Sequence, residues 1–134
     1  HNTSREFYYR FPYGAYGNGS GGYHHLNSMK DVSDELFGEN CINFAFWDID
    51  TSDWVSNMTA ENIVQTLMAN LNGGTAYKFK KKSSGYTKVS YRIKNPVAGG
   101  VILMHDIHKR TVDATEMFLE KIKGTNIEIV PLNQ

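Results

Sequence analysis

Three short clusters in this chain carry the residue types that acid–base chemistry needs. His105 and Asp106 end the apolar run Val101-Ile102-Leu103-Met104. Asp50 and Asp53, followed by Trp54, come after the apolar run 41–47. Arg10 and Tyr13 follow the aromatic run Phe7-Tyr8-Tyr9. A histidine, a carboxylate able to orient and charge it, and an arginine for a second carboxylate or an oxyanion outline a proton-transfer site. No serine or cysteine sits in a nucleophile elbow, and the glycines of 14–22 follow neither standard phosphate-loop spacing. His24 and His25 are adjacent, a spacing at which two rings rarely face one ion. His105-x-x-His108 with Asp106 has chelating types, but a strand leads into it.

The elements that must position these residues follow from periodicity. Gly99-Gly100 releases four consecutive apolar residues that stop at His105, which predicts a short strand buried on both faces, as in a parallel sheet. Residues 6–11 and 41–47 are β-favouring, and Pro12-Tyr13-Gly14 forces a turn. Residues 15–23, rich in Gly, Asn, Ser and Tyr, predict a surface loop. Met29, Val32, Leu36 and Phe37 predict a helix over about 26–37 with Gly38 beyond its end. Ile63, Val64, Leu67, Met68 and Leu71 make one apolar stripe, with Thr59 as N-cap and Gly73-Gly74 as stop. Ala114, Phe118, Leu119 and Ile122 predict a third helix closed by Gly124, and residues 126–132 a further strand. Residues 77–93 read as a hairpin around Ser83-Ser84-Gly85, a basic insertion spanning about 75–95. Strand–helix alternation of this kind predicts an α/β fold with right-handed crossovers and a parallel sheet, whose strand exits lie on one edge.

Fourteen basic residues balance fourteen acidic ones in 134 residues. The charge balance gives no overall bias toward nucleic acid or anionic lipid, and no apolar run is long enough to span a membrane. The single cysteine, Cys41, excludes an internal disulfide framework. Asn2-Thr3-Ser4 and Asn57-Met58-Thr59 fit the glycosylation sequon.

Arg10-Phe11-Pro12-Tyr13-Gly14, Asp50-Thr51-Ser52-Asp53-Trp54 and Val101-Ile102-Leu103-Met104-His105-Asp106 resemble, in order, the third, fourth and fifth motifs of the polysaccharide deacetylases. This is the NodB-homology domain of carbohydrate esterase family four, which includes peptidoglycan and chitin N-deacetylases. The resemblance implies a distorted, TIM-like (β/α) barrel and metal-dependent hydrolysis of a sugar acetamide. It makes His105 the general acid that protonates the departing amine, and Asp53 the carboxylate that tunes and orients it. Arg10 would hold the catalytic base, and the Tyr13 backbone N–H would stabilise the oxyanion. Leu103 would line the pocket for the acetyl methyl, and Trp54 and Tyr13 would contact the sugar.

The family's first two motifs, which supply the base and the metal ligands, have no counterpart before Arg10. The resemblance therefore implies that residues 1–134 form the C-terminal part of one catalytic domain. Its N-terminal half, on a second chain or fragment, would carry the base and a divalent metal, zinc being expected. None of the metal ligands would come from this chain, which alone would be inactive. A complete barrel takes about 250 residues. The expected partner is an acetylated glycan, peptidoglycan before chitin, with neither nucleic acid nor a membrane span. The expected location is secreted, periplasmic or wall-associated. Two other readings fit the same motifs: a non-catalytic glycan-binding relative, and an esterase of O-acetylated polysaccharide.

Overall fold

The computed structural model describes residues 6–17 and 24–132. Asn2 and residues 18–23 of the expected loop lie outside them. The chain folds as two compact units, 1–46 and 47–134.

In the first unit, strand β1 (Phe7–Tyr9) runs parallel to β2 (Ile42–Phe44), with Tyr8 opposite Asn43. Helix α1 (His24–Phe37) makes the crossover. It begins two residues before the expected start and ends where Gly38 takes a φ of 101° and donates its N–H to the Asp34 carbonyl. The unit is held by aromatic rings: Phe7 against Phe37 at 4.8 Å, Tyr9 against Phe11 at 5.0 Å, and Phe11 stacked on Phe44 at 5.5 Å. Cys41 is buried, its thiol donating to the Gly38 carbonyl.

In the second unit, β3 (Ile49–Asp50) pairs in parallel with β6 (Ile102–Leu103). Helices α2 (Ala60–Asn72) and α3 (Lys109–Ile122) bury Ile63, Val64 and Leu67 against Ala114, Phe118 and Ile122, with Ile49, Val55 and Met58 completing the core. Thr59 caps α2 by accepting from the Asn62 N–H at 3.3 Å, and Gly73 ends it at a φ of 80°. Strands β4 (Gly74–Lys82) and β5 (Gly85–Ile93) form the expected hairpin, an antiparallel ladder closed by Ser83 and Ser84.

The architecture is thus mixed α/β, with two parallel strand pairs and one hairpin sheet. Two expectations change. The run 41–47 is not strand throughout: only residues 42–44 pair, with β1, and the partner of β6 is the separate two-residue strand Ile49–Asp50 that follows the run. Residues 126–132 form no strand, because no described strand offers them a ladder partner. Ile127 packs on the helical core instead, while Ile129 and Val130 stay exposed.

Candidate functional site

Asp53 and His105 meet because β3 and β6 lie side by side and both chains continue past the same end of the ladder. The β3 exit is tightly folded. Asp50 Oδ1 accepts the Ser52 N–H at 2.7 Å, and Ser52 takes a φ of 52°, a left-handed conformation uncommon for a residue with a Cβ. Thr51 donates its hydroxyl to the Leu103 carbonyl at 2.8 Å. Thr51, Ser52 and Asp53 are all fully buried. This turn therefore carries a carboxylate into the interior, a placement tolerated only when the charge is well partnered.

It is well partnered. Asp53 Oδ1 accepts from His105 Nδ1 at 2.7 Å. Oδ2 accepts the His105 backbone N–H at 2.6 Å and the Thr111 hydroxyl at 2.7 Å. The Asp53 carbonyl takes the Arg110 Nε–H at 2.6 Å. Burial pushes the Asp53 carboxyl up, but the bonds from the His105 ring, the His105 backbone and Thr111, with the His105 charge, outweigh it. The net effect holds the carboxyl below its ordinary value.

The His105 side chain is 37% exposed against 1% for Asp53. An acceptor on Nδ1 fixes the neutral ring as the Nδ1–H tautomer and aligns it. Nε2 has no hydrogen-bond partner among the described residues. The arrangement is a solvent-accessible imidazole oriented by a buried carboxylate, which is what a proton donor or acceptor requires.

Of the other predicted residues, Trp54 is partly buried, its ring 5.3 Å from Phe79 and 4.9 Å from Tyr86 of the hairpin. Leu103 is buried in β6. Arg10 and Tyr13 belong to the first unit, both exposed. Tyr13 has a φ of 57° within the turn Pro12–Gly14, a left-handed conformation that Asn40, Ser52 and Ala98 share among the described non-glycine residues. His25 Nδ1 lies 3.0 Å from the Ala15 carbonyl and is occupied locally. Among the described residues no three His, Cys, Asp or Glu side chains are placed to hold a metal ion.

Thr111 and Arg110 escaped the sequence reading. The signal for Thr111 was present: the buried stripe of α3 is Thr111, Ala114, Phe118 and Ile122, so a hydroxyl stands at the first inward position of an otherwise apolar face. Nothing in the sequence singles out Arg110.

No family model, no curated protein and no solved structure matches this chain. No described helix is long and apolar enough to cross a membrane.

Proposed function

We propose that this chain is the acid-bearing, C-terminal part of a polysaccharide N-deacetylase acting on N-acetylglucosamine-type glycans, peptidoglycan before chitin. The observation that carries the reading is the Asp53–His105 pair: a buried carboxylate with three donors on its two oxygens, and an accessible imidazole whose far nitrogen is unoccupied among the described residues. The three motif resemblances, at residues 10–14, 50–54 and 101–106, supply the substrate class.

In the proposed reaction the imidazolium gives its Nε2 proton to the amide nitrogen as the C–N bond of the tetrahedral intermediate breaks, and the sugar amine leaves neutral. Asp53 keeps the ring aligned and balances its charge. General-acid assistance of this kind contributes about 10²–10⁴-fold in rate. The left-handed Tyr13 supports a backbone role for that turn, and Trp54 a wall for the sugar. The divalent metal implied by the resemblance would be held by residues outside this chain. The chemistry assigned to this chain is that of its acid. The short two-stranded parallel ladders support further strands being supplied by the N-terminal half, since such pairs are marginal alone. An enzyme acting on wall glycans would work outside the cytoplasm.

The test is native mass and metal analysis of the unseparated protein, followed by acetate release from acetylated chito-oligosaccharide and peptidoglycan. A co-purifying second polypeptide, one bound divalent ion per assembly, and acetate release lost in His105→Ala are expected. A lone, metal-free chain that binds glycan without releasing acetate would make it a binding relative. Release only from O-acetylated xylan would change the bond.

A further inference from the structure

Seven of the chain's fourteen cations lie between residues 78 and 94, a stretch with no Asp or Glu. None of the seven forms an ion pair among the described residues, where the ion pairs are Lys30–Asp34, His105–Asp53, Lys109–Asp113 and Lys123–Glu120. A chain with zero net charge thus carries a concentrated, uncompensated positive arm. A solvated hairpin gains nothing from that concentration, since like charges on neighbouring strands repel.

Strand register divides the arm's side chains between two faces. Phe79 stands opposite Lys88 and Lys81 opposite Tyr86, so Phe79, Lys81, Tyr86 and Lys88 share one face. Lys78, Lys80 and Lys82 lie on the other. The first face is the one that meets Trp54, whose ring packs against Phe79 and Tyr86, and those two rings lie 5.8 Å apart. Phe79 and Tyr86 nevertheless remain 39% and 49% exposed, and Lys81 is exposed beside them.

The arm is fixed to the site rather than loosely appended. The Phe79 N–H donates to Ser52 Oγ at 3.2 Å, the Lys88 N–H to Asn57 Oδ1 at 3.0 Å, and Lys88 Nζ to Asn62 Oδ1 at 2.5 Å. Ser52 and Trp54 flank Asp53, the carboxylate that holds His105.

We infer that the face formed by Trp54, Phe79, Tyr86 and Lys81 is a subsite for a polyanionic glycan, an acetamido sugar chain bearing carboxylates along its length. The inference rests on the deacetylase reading of the adjacent Asp53–His105 pair and deepens it by naming the substrate's charge. The exposed rings offer apolar faces to sugar rings, and Lys81 lies on the same face to meet a carboxylate. Lys80 and Lys82, on the reverse face but within a Debye length, raise the local potential and the capture rate without direct contact.

The experiment is fluorescence anisotropy of the chain with two end-labelled oligosaccharides of equal length. One is hyaluronan, in which N-acetylglucosamine alternates with a carboxylate sugar, and the other is neutral N-acetylchito-oligosaccharide. Hyaluronan binds about tenfold more tightly at low salt, and the preference shrinks as salt rises. Lys81→Gln reduces the preference more than Lys80→Gln, and the triple change Lys80→Gln/Lys81→Gln/Lys82→Gln abolishes it. All three positions are exposed, so folding is unaffected. Equal affinity for the two sugars, or a preference that survives the triple change, overturns the inference. Tighter binding of a single-stranded oligonucleotide than of hyaluronan overturns it too, making the arm a nucleic-acid surface. Binding is read without turnover, so the two readings fail separately. A chain that prefers hyaluronan but releases no acetate within its assembly fails the reaction and keeps the subsite. A chain that releases acetate with no charge preference fails the subsite alone.

Discussion

Asp53 receives His105 twice: Oδ1 accepts the ring Nδ1–H at 2.7 Å and Oδ2 the backbone N–H at 2.6 Å. The double attachment fixes both where the histidine backbone lies and how its ring turns. It ties the β3 and β6 exits together directly. It also joins a buried carboxylate to a ring that solvent can reach.

If His105 is the proposed acid, His105→Ala is expected to lower deacetylase turnover by about 10²–10⁴-fold while leaving the far-ultraviolet circular dichroism of the chain unchanged. Metal content of the assembly should also be unchanged. Loss of metal in this variant would make His105 a ligand instead of the acid.

Stability should depend on pH through Asp53. Its folded carboxyl lies below the ordinary 3.8, so it binds a proton less readily folded than unfolded. Its contribution is therefore fully present above the unfolded value and is lost as pH falls through the folded one. Urea midpoints should fall between pH 5 and pH 3 (about the range spanning the unfolded carboxyl value) in the parent more steeply than in Asp53→Asn. At pH 7 the variant should already be destabilised, because an amide cannot accept at both former oxygen positions. Parallel pH profiles for the two proteins would remove Asp53 from the acid transition.

Thr111 should act on the reaction through Asp53. Thr111→Val removes a hydroxyl donated to a buried carboxylate at 2.7 Å, a bond worth about 1.5–3 kcal/mol to a charged acceptor. The expected outcome is a lower kcat with KM nearly unchanged, and a changed pH–rate profile. Thr111→Ser, which keeps the hydroxyl, should restore both. If Ser and Val behave alike, the residue only fills space.

Much of this was legible in the sequence because it rests on short-range rules. Helix α2 follows from its apolar stripe, its Thr59 cap and its Gly73 stop, all local signals. The hairpin follows from its turn residues. Asp53 and His105 were recognisable as strand-exit residues, but their contact, fifty-two positions apart, depends on the long-range β3–β6 ladder. The shortening of 41–47 to a strand over 42–44, with a second strand at Ile49–Asp50 beyond it, was hidden, because an apolar run does not say which of its residues will find a ladder partner. The failure of 126–132 as a strand has the same origin: β propensity without a partner makes no ladder. Thr111 was missed because a threonine inside a helical stripe looks like a tolerated polar residue until the carboxylate it serves is seen.

Gly100 should prove far less replaceable than its neighbour. It has a φ of 131°, and a Cβ there would lie 2.8 Å from the Asp48 Cβ and 2.9 Å from its Oδ2. That carboxylate accepts the Val101 N–H at 2.8 Å, the bond that leads the chain into β6. Gly100→Ala is expected to cost about 1–3 kcal/mol from backbone strain, with the displacement of Asp48 added. Gly99→Ala meets no atom within 4 Å and should stay within about 0.5 kcal/mol of the parent. Denaturant midpoints of the two variants decide it, and equal costs would mean that the approach of Asp48 does not constrain this turn.

Trp54 offers a way to separate substrate contact from packing. Its ring lies against Phe79 and Tyr86, so Trp54→Ala both removes a surface for the sugar and loosens the base of the arm. If contact dominates, glycan affinity should fall about tenfold, on the order of 1.4 kcal/mol, while turnover of a small soluble acetamide changes little. Trp54→Phe keeps an aromatic face and should recover most of the affinity. The small acetamide supplies the control, since it reaches His105 without touching the arm. Equal losses on glycan and acetamide would instead mean that Trp54 acts through the packing that holds its neighbour Asp53 in place.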